Sequence, residues 1–177
     1  HVRTGWRAKD LEDALEWLIA AGLVYKVAKI GQPLFPLSSY ADDTSFKLYM
    51  ADIGILRRLA GLPSEVLLDS ASAYREFKGS MTENYVLCEL HAAVDDTAYY
   101  WTSGNIAEVD FVLRCGKEIL PIEVKSEKNL KARSLSEYRK KYTPRYAVKI
   151  SMSHAIGGEE VLNLPLYMIA SLKNFVK

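Results

Sequence analysis

Between Ala107 and Lys125 the chain carries Asp110, Glu123 and Lys125, two carboxylates and an ammonium set among Val, Phe, Leu and Ile. Strict alternation predicts two strands joined by a tight turn. Val109, Phe111 and Leu113 then share one face of the first strand, and Glu108, Asp110 and Val112 the other. In the second strand Leu120, Ile122 and Val124 share a face opposite to Glu123 and Lys125. A reversal at Cys115-Gly116, where glycine adopts positive φ cheaply, sets Arg114 against Lys117 and Asp110 against Pro121. Asp110 and Glu123 become diagonal neighbours, roughly 7–8 Å apart at Cα, near enough for both carboxylates to reach one cation at about 2 Å. The pattern admits a metal site, but taken alone it favours a half-solvated hairpin with a charged outer face.

Two further features bear on that choice. The helix predicted from Tyr74 to Ala93 puts Glu83 on the stripe of Leu87, Leu90 and Val94. A carboxylate there needs a cation, hydrogen bonds or a metal, unless it lies at the stripe's edge and reaches water. From Lys125 to Lys149 nine basic residues stand against Glu127 and Glu137, a local charge of +7 in a chain whose net charge is +1. Such a run suits a polyanion such as a nucleic-acid backbone, or forms the solvated face of a basic helix over Ser134–Tyr142. His1, His91 and His154 lack zinc-pair spacing, and Tyr99–Trp101 reads as core.

The elements around the hairpin are legible from periodicity. Lys9–Ala21 predicts an amphipathic helix with apolar Leu11, Leu15, Leu18 and Ile19, a cap at Asp10 and a C-terminal Gly22. Leu23–Ile30 alternates as a strand, and Gly31-Gln-Pro33 turns it back into Leu34–Leu37. Helix plus hairpin resembles half of a winged helix, but Asp10, Glu12, Asp13 and Glu16 on the helix would repel phosphate. Phe46–Met50 is a short strand, Asp52–Ala60 a helix ended by Gly61, and Pro63–Ser72 a linker. After Tyr74 the order is helix, strand, strand, strand, helix, strand, closing with an extended Val161–Ile169 and a short helix that packs Leu172 and Phe175. The expected division is 1–45, 46–72 and 73–177.

At 177 residues, 49% hydrophobic and 25% charged, the composition is that of a globular protein of one domain or two small ones. Two cysteines make neither a secreted disulfide framework nor a zinc cluster, and no apolar run approaches the roughly 20 residues of a membrane span. The expectation is a soluble, cytoplasmic protein. Its start at His-Val-Arg, without Met, is expected of a piece of a longer chain.

Glu83, Asp110 and Glu123-Val124-Lys125, in that order of elements, resemble the PD-(D/E)XK nuclease core. The stretches Phe46–Leu56, Lys78–Val86, Tyr99–Ser103, Ala107–Phe111 and Pro121–Ser126 further resemble the C-terminal, nuclease-like domain of unknown function found in bacterial and archaeal AAA+-type ATPases. That resemblance implies an α/β fold with a restriction-endonuclease-like core in the order αβββαβ, preceded by a partial winged-helix segment. It implies metal-dependent phosphodiester hydrolysis on DNA, coupled to an N-terminal ATPase module. Asp110, Glu123, the Val124 carbonyl and Glu83 would hold Mg²⁺ or Mn²⁺. Asp110, Glu123 and Lys125 would be catalytic, and Lys128, Lys131, Arg133, Arg139, Lys140 and Lys141 would meet the nucleic-acid backbone. Val109 stands where the motif's name has proline. No Gly-x-x-x-x-Gly-Lys-Ser/Thr loop occurs, so ATP binding is not expected of this stretch. The other reading is a nuclease-fold module that regulates or scaffolds the ATPase without cutting, alone or as an oligomer.

Overall fold

The structure is a computed structural model that describes residues 8–63, 75–104, 106–126, 133–154, 157 and 161–176. Its frame is one mixed sheet of seven strands: β1 (Val24–Ile30), β2 (Ala41–Met50), β3 (Tyr99–Thr102), β4 (Glu108–Cys115), β5 (Glu118–Lys125), β6 (Val148–Ser151) and β7 (Leu162–Pro165). They lie in the order β2-β1-β3-β4-β5-β6-β7. The helices are α1 (Ala8–Ala20), α2 (Ile53–Leu59), α3 (Arg75–Ala93), α4 (Arg133–Tyr142) and α5 (Leu172–Phe175), the last entered through a 3-10 turn at Leu166–Ser171. Among the described residues no helix is long and apolar enough to cross a membrane.

Alternation splits the core into two layers. Phe111, Leu113, Leu120, Ile122, Val148, Ile150 and Leu164 bury one face of the sheet against Val86, Leu87, Leu90 and Val94 of α3 and against Ile169 and Leu172. Tyr99, Trp101, Val109 and Val112 bury the other face against Leu135 and Tyr138 of α4. Each such fully buried side chain contributes on the order of 1.5–3 kcal/mol. The expected stripe of α3 and the core role of Tyr99–Trp101 both hold, while Leu18 of α1, expected inward, is exposed.

The N-terminal part departs from expectation. The strand that returns along β1 is Ala41–Met50, not Leu34–Leu37, because Leu37 is drawn into the core from a 3-10 turn at Leu37–Tyr40. β1 then pairs in parallel with β3 through Lys29–Tyr100 and Ile30–Trp101, so the hairpin extends the same sheet. Gly22 at φ +68° ends α1, and Asp52 caps α2 by accepting from Ile55 N–H at 2.9 Å.

The β4–β5 register also differs. Cys115 lies opposite Glu118 at the end of β4, so the turn is Gly116-Lys117 and not Cys115-Gly116. Gly116, at φ +63°, occupies the first turn position. Val112 faces Pro121 and Phe111 faces Ile122, where the regular pairing stops, and Asp110 instead meets β5 through Val124 N–H. A β-bulge breaks the alternation of β4: Tyr99 pairs with Val112 but Trp101 with Val109. Val109 and Phe111, expected on one face, therefore lie in different core layers.

Candidate functional site

The N-terminal end of β4 and the C-terminal end of β5 meet at one end of the sheet, where Asp110 feels the charges of Glu83 and Glu123 from two other elements. Asp110 comes from the bulged turn of β4; its Oδ2 accepts from Val124 N–H of β5 at 2.7 Å. Because the bulge uses up one residue, Asp110 senses the α3 side of the sheet, where Glu83 is the nearest charge to disturb it. Removal from water, then the like charge of Glu83, push its carboxyl from the ordinary 3.8 up to about 7; the Val124 N–H and Lys47 oppose this, and Glu123 adds to it.

Glu83 sits one helical turn from Leu87, at the stripe's edge, and is held by two groups from β2. Lys47 Nζ lies 3.1 Å from its Oε1, and Tyr49 donates its hydroxyl to the same oxygen. Lys47 also reaches Glu108 Oε1 at 2.5 Å and lies 5.3 Å from the ring centre of Tyr100. Both Lys47 and Tyr49 are pushed up by this setting. For Lys47 the two carboxylates outweigh burial, whereas for Tyr49 burial and the Glu83 charge act together. Glu108 is thus an exposed partner of Lys47, not a neighbour of Glu123.

Glu123 points to the opposite layer. It is 3% exposed, its Oε1 lies 2.6 Å from Lys125 Nζ, and its Oε2 accepts from Leu135 N–H, in the first turn of α4, at 3.1 Å. An amide in the first turn of a helix has no partner within the helix and favours an anion. Lys149 of β6 lies beside Glu123 in register and is itself buried; burial lowers its basicity, Lys125 lowers it further, and Glu123 opposes both. The backbone of Val124 meets the site through its N–H, and its side chain packs into the core.

Asp110 is therefore tied to Val124, the residue next to Glu123 on the partner strand, Lys125 is joined to Glu123, and Glu83 reaches the group through its effect on Asp110. Among the described residues no three His, Cys, Asp or Glu side chains gather tightly enough to enclose a cation as they stand. Carboxylate oxygens are the donors that a hard divalent ion takes, and burial with the charges of Glu83 and Glu123 is what raises Asp110 here. Of the basic run, Lys128 and Lys131 lie outside the described residues. Arg133, Lys140 and Lys141 are exposed on α4; Lys140 pairs with Glu137 at 2.7 Å, and Lys141 lies over the rings of Trp101 and Tyr142. Arg139 is half-buried on the same helix.

Lys47, Tyr49 and Asn84 were not singled out by sequence. Asn84, 2% exposed, donates to Met50 O and accepts from Met50 N–H, both at 2.8 Å, and so pins β2 to α3 beside Glu83. The alternation Lys47-Leu48-Tyr49 carried the signal, since it sends a cation and a phenol to the same face.

No curated protein and no solved structure matches the chain. Residues 1–66 are similar to a family described only as a domain of unknown function (DUF8612). Residues 78–167, just over half of the chain, match the family that carries α3 and every strand from β3 to β7, and the chain belongs to it: the domain of unknown function DUF4143.

Proposed function

We propose that the β4–β5 edge is a metal-dependent phosphodiester-hydrolysing site of the PD-(D/E)XK kind, acting on DNA. In this reading α3, β3, β4, β5, α4 and β6 form the αβββαβ core, and residues 1–45 are a winged-helix remnant. The carrying observation is that Asp110 is bonded to Val124 N–H, between Glu123 and Lys125, while Lys125 is ion-paired to Glu123 at the same strand end. Asp110, Glu123, Glu83 and the Val124 carbonyl are the groups that would hold Mg²⁺ or Mn²⁺. A bound ion would lower the pKa of a coordinated water and offset charge on the phosphodiester. Lys125, one-third exposed, can leave Glu123 to meet a phosphate oxygen. Arg133, Arg139, Lys140 and Lys141, with Lys128 and Lys131, supply the basic surface that would follow the strand. An ATPase module of the same chain would be the coupled partner, as the sequence resemblance implies.

One observation favours a second reading, a nuclease-fold module that binds and regulates without cutting. Glu83 and Glu123 are each already neutralised by a lysine, at 3.1 Å and 2.6 Å. Supercoiled plasmid incubated with Mg²⁺ or Mn²⁺, beside Asp110→Ala and Glu123→Ala, separates the two. The nuclease reading expects nicking that both substitutions abolish; nicking that survives them removes the site assignment. Calorimetry that finds no divalent-ion binding to the unaltered protein supports the regulatory module.

A further inference from the structure

Just past the C-terminal ends of β5, β6 and β7 the surface opens into a pocket of about 570 Å³. It is lined by Tyr85 of α3, by Ser151, Met152 and His154 after β6, and by Pro165 and Tyr167 after β7. Its walls are mostly carbon, yet two of the side chains are left in the open: the Tyr167 ring is 65% exposed and the Met152 thioether 56%. The rings of His154 and Tyr167 face one another with centres 6.0 Å apart and planes tilted by 37°. The core does not need these groups, because Ile169 and Leu172 of the same segment already fill it.

The pocket's position ties it to the candidate site. Lys125, Ser151 and Pro165 form one row across three adjacent strands. Neighbouring strands lie about 4.8 Å apart, so Ser151 is a single strand step from Lys125. A phosphate at Lys125 would thus lie next to the strand whose end, at Ser151 and Met152, forms one wall of this aromatic, polarizable slot.

We propose that this pocket holds one unpaired nucleobase of the strand whose phosphate meets Lys125, so that the substrate is single-stranded or frayed at that point. The inference rests on the reading of Lys125 as the phosphate contact. Stacking on aromatic side chains tolerates any base, because every base has a π-face. In an intact duplex the base is paired and stacked, and it must be extruded at a cost before it can enter. Phosphate contact supplies affinity for any polyanion, whereas the pocket adds a preference for strands with a free base.

The test measures binding with divalent ions chelated, so that cleavage does not enter. Fluorescence anisotropy is followed for a short labelled single strand and for the blunt duplex of the same sequence. The unaltered protein is expected to prefer the single strand and to quench a fluorescent purine analogue placed in it. Tyr167→Ala, at an exposed position, should weaken single-strand binding about ten-fold, as the loss of one base–aromatic stack does. Duplex binding and the salt slope should stay the same. Tyr167→Phe should retain single-strand binding. Equal affinity of Tyr167→Ala and the unaltered protein for the single strand, with circular dichroism showing both folded, overturns the inference. So does a preference for duplex. Absence of binding to either probe overturns both this inference and the nucleic-acid reading, whereas pocket-dependent binding without plasmid nicking removes hydrolysis alone.

Discussion

Asp110 accepts a hydrogen bond from the N–H of Val124 at 2.7 Å, so the residue between the two site residues Glu123 and Lys125 is tied to the carboxylate on the neighbouring strand. That bond holds Asp110 where both Glu83 and Glu123 bear on it, and its charge state becomes the most sensitive reporter of the site.

Stability should therefore fall as pH rises from about 4 to about 7. Across that window the folded chain keeps the Asp110 proton that the unfolded chain has released, since its carboxyl moves from 3.8 to about 7 on folding. Asp110→Asn keeps an acceptor for Val124 N–H and removes the penalty. It should stabilise the protein on the order of 1–3 kcal/mol at pH 8 and by little at pH 4. Urea unfolding at both pH values checks this; an equal effect at each would show that Asp110 is ionised throughout.

Lys47 opposes the upward shift of Asp110 while neutralising Glu83 and Glu108. Lys47→Met should move the Asp110 titration, followed by carboxyl carbon NMR, to higher pH. Tyr49→Phe removes only the hydroxyl that Glu83 accepts from and should cost about 1–3 kcal/mol in urea, as for a hydrogen bond to a charged group. A titration unmoved by Lys47→Met would separate Glu83 from Asp110.

Asn84→Ala leaves both backbone groups of Met50 without their side-chain partner inside a nearly closed contact. A drop in stability of about 2–4 kcal/mol is expected, with the amides of β2 exchanging faster than those of β5 in hydrogen-exchange measurements. Uniform acceleration across the sheet would mean that β2 opens only with the whole fold.

Replacing Arg133, Lys140 and Lys141 together by Gln should weaken DNA binding at low salt. The slope of log affinity against log salt should shallow by about 2–3, at roughly 0.7–0.9 for each phosphate no longer neutralised. An unchanged slope would place the phosphate path elsewhere.

The parts of this architecture that follow local periodicity were readable in the chain. Leu87, Leu90 and Val94 on α3 and the two strands around Gly116 obey repeats of 3.6 and 2, so element types and the burial of Phe111 and Ile122 came out directly. Register did not, because one glycine serves either Cys115-Gly116 or Gly116-Lys117, and the two choices shift the pairing by two residues. The bulge between Val109 and Val112 was equally hidden, since it is imposed by the pairing with Tyr99 and Trp101. β2 was the larger omission: Asp42, Asp43, Thr44 and Ser45 have the composition of a loop, yet they lie within a strand, Asp42 paired with Lys29 and the next three bulged before Phe46 pairs with Ala28. The contacts of Lys47 and Tyr49 with Glu83 span 36 and 34 residues, a separation at which no local pattern speaks.

The ion pair of Lys47 with Glu83 has a consequence for where the chain can be divided. One family pattern ends at residue 66 and the other begins at residue 78, yet the cation belongs to the first and the anion to the second. Severed between them, the later piece would keep a half-buried carboxylate with its counter-charge gone, and the earlier piece a lysine and a phenol aimed at nothing. The two stretches are separable as text and inseparable as electrostatics.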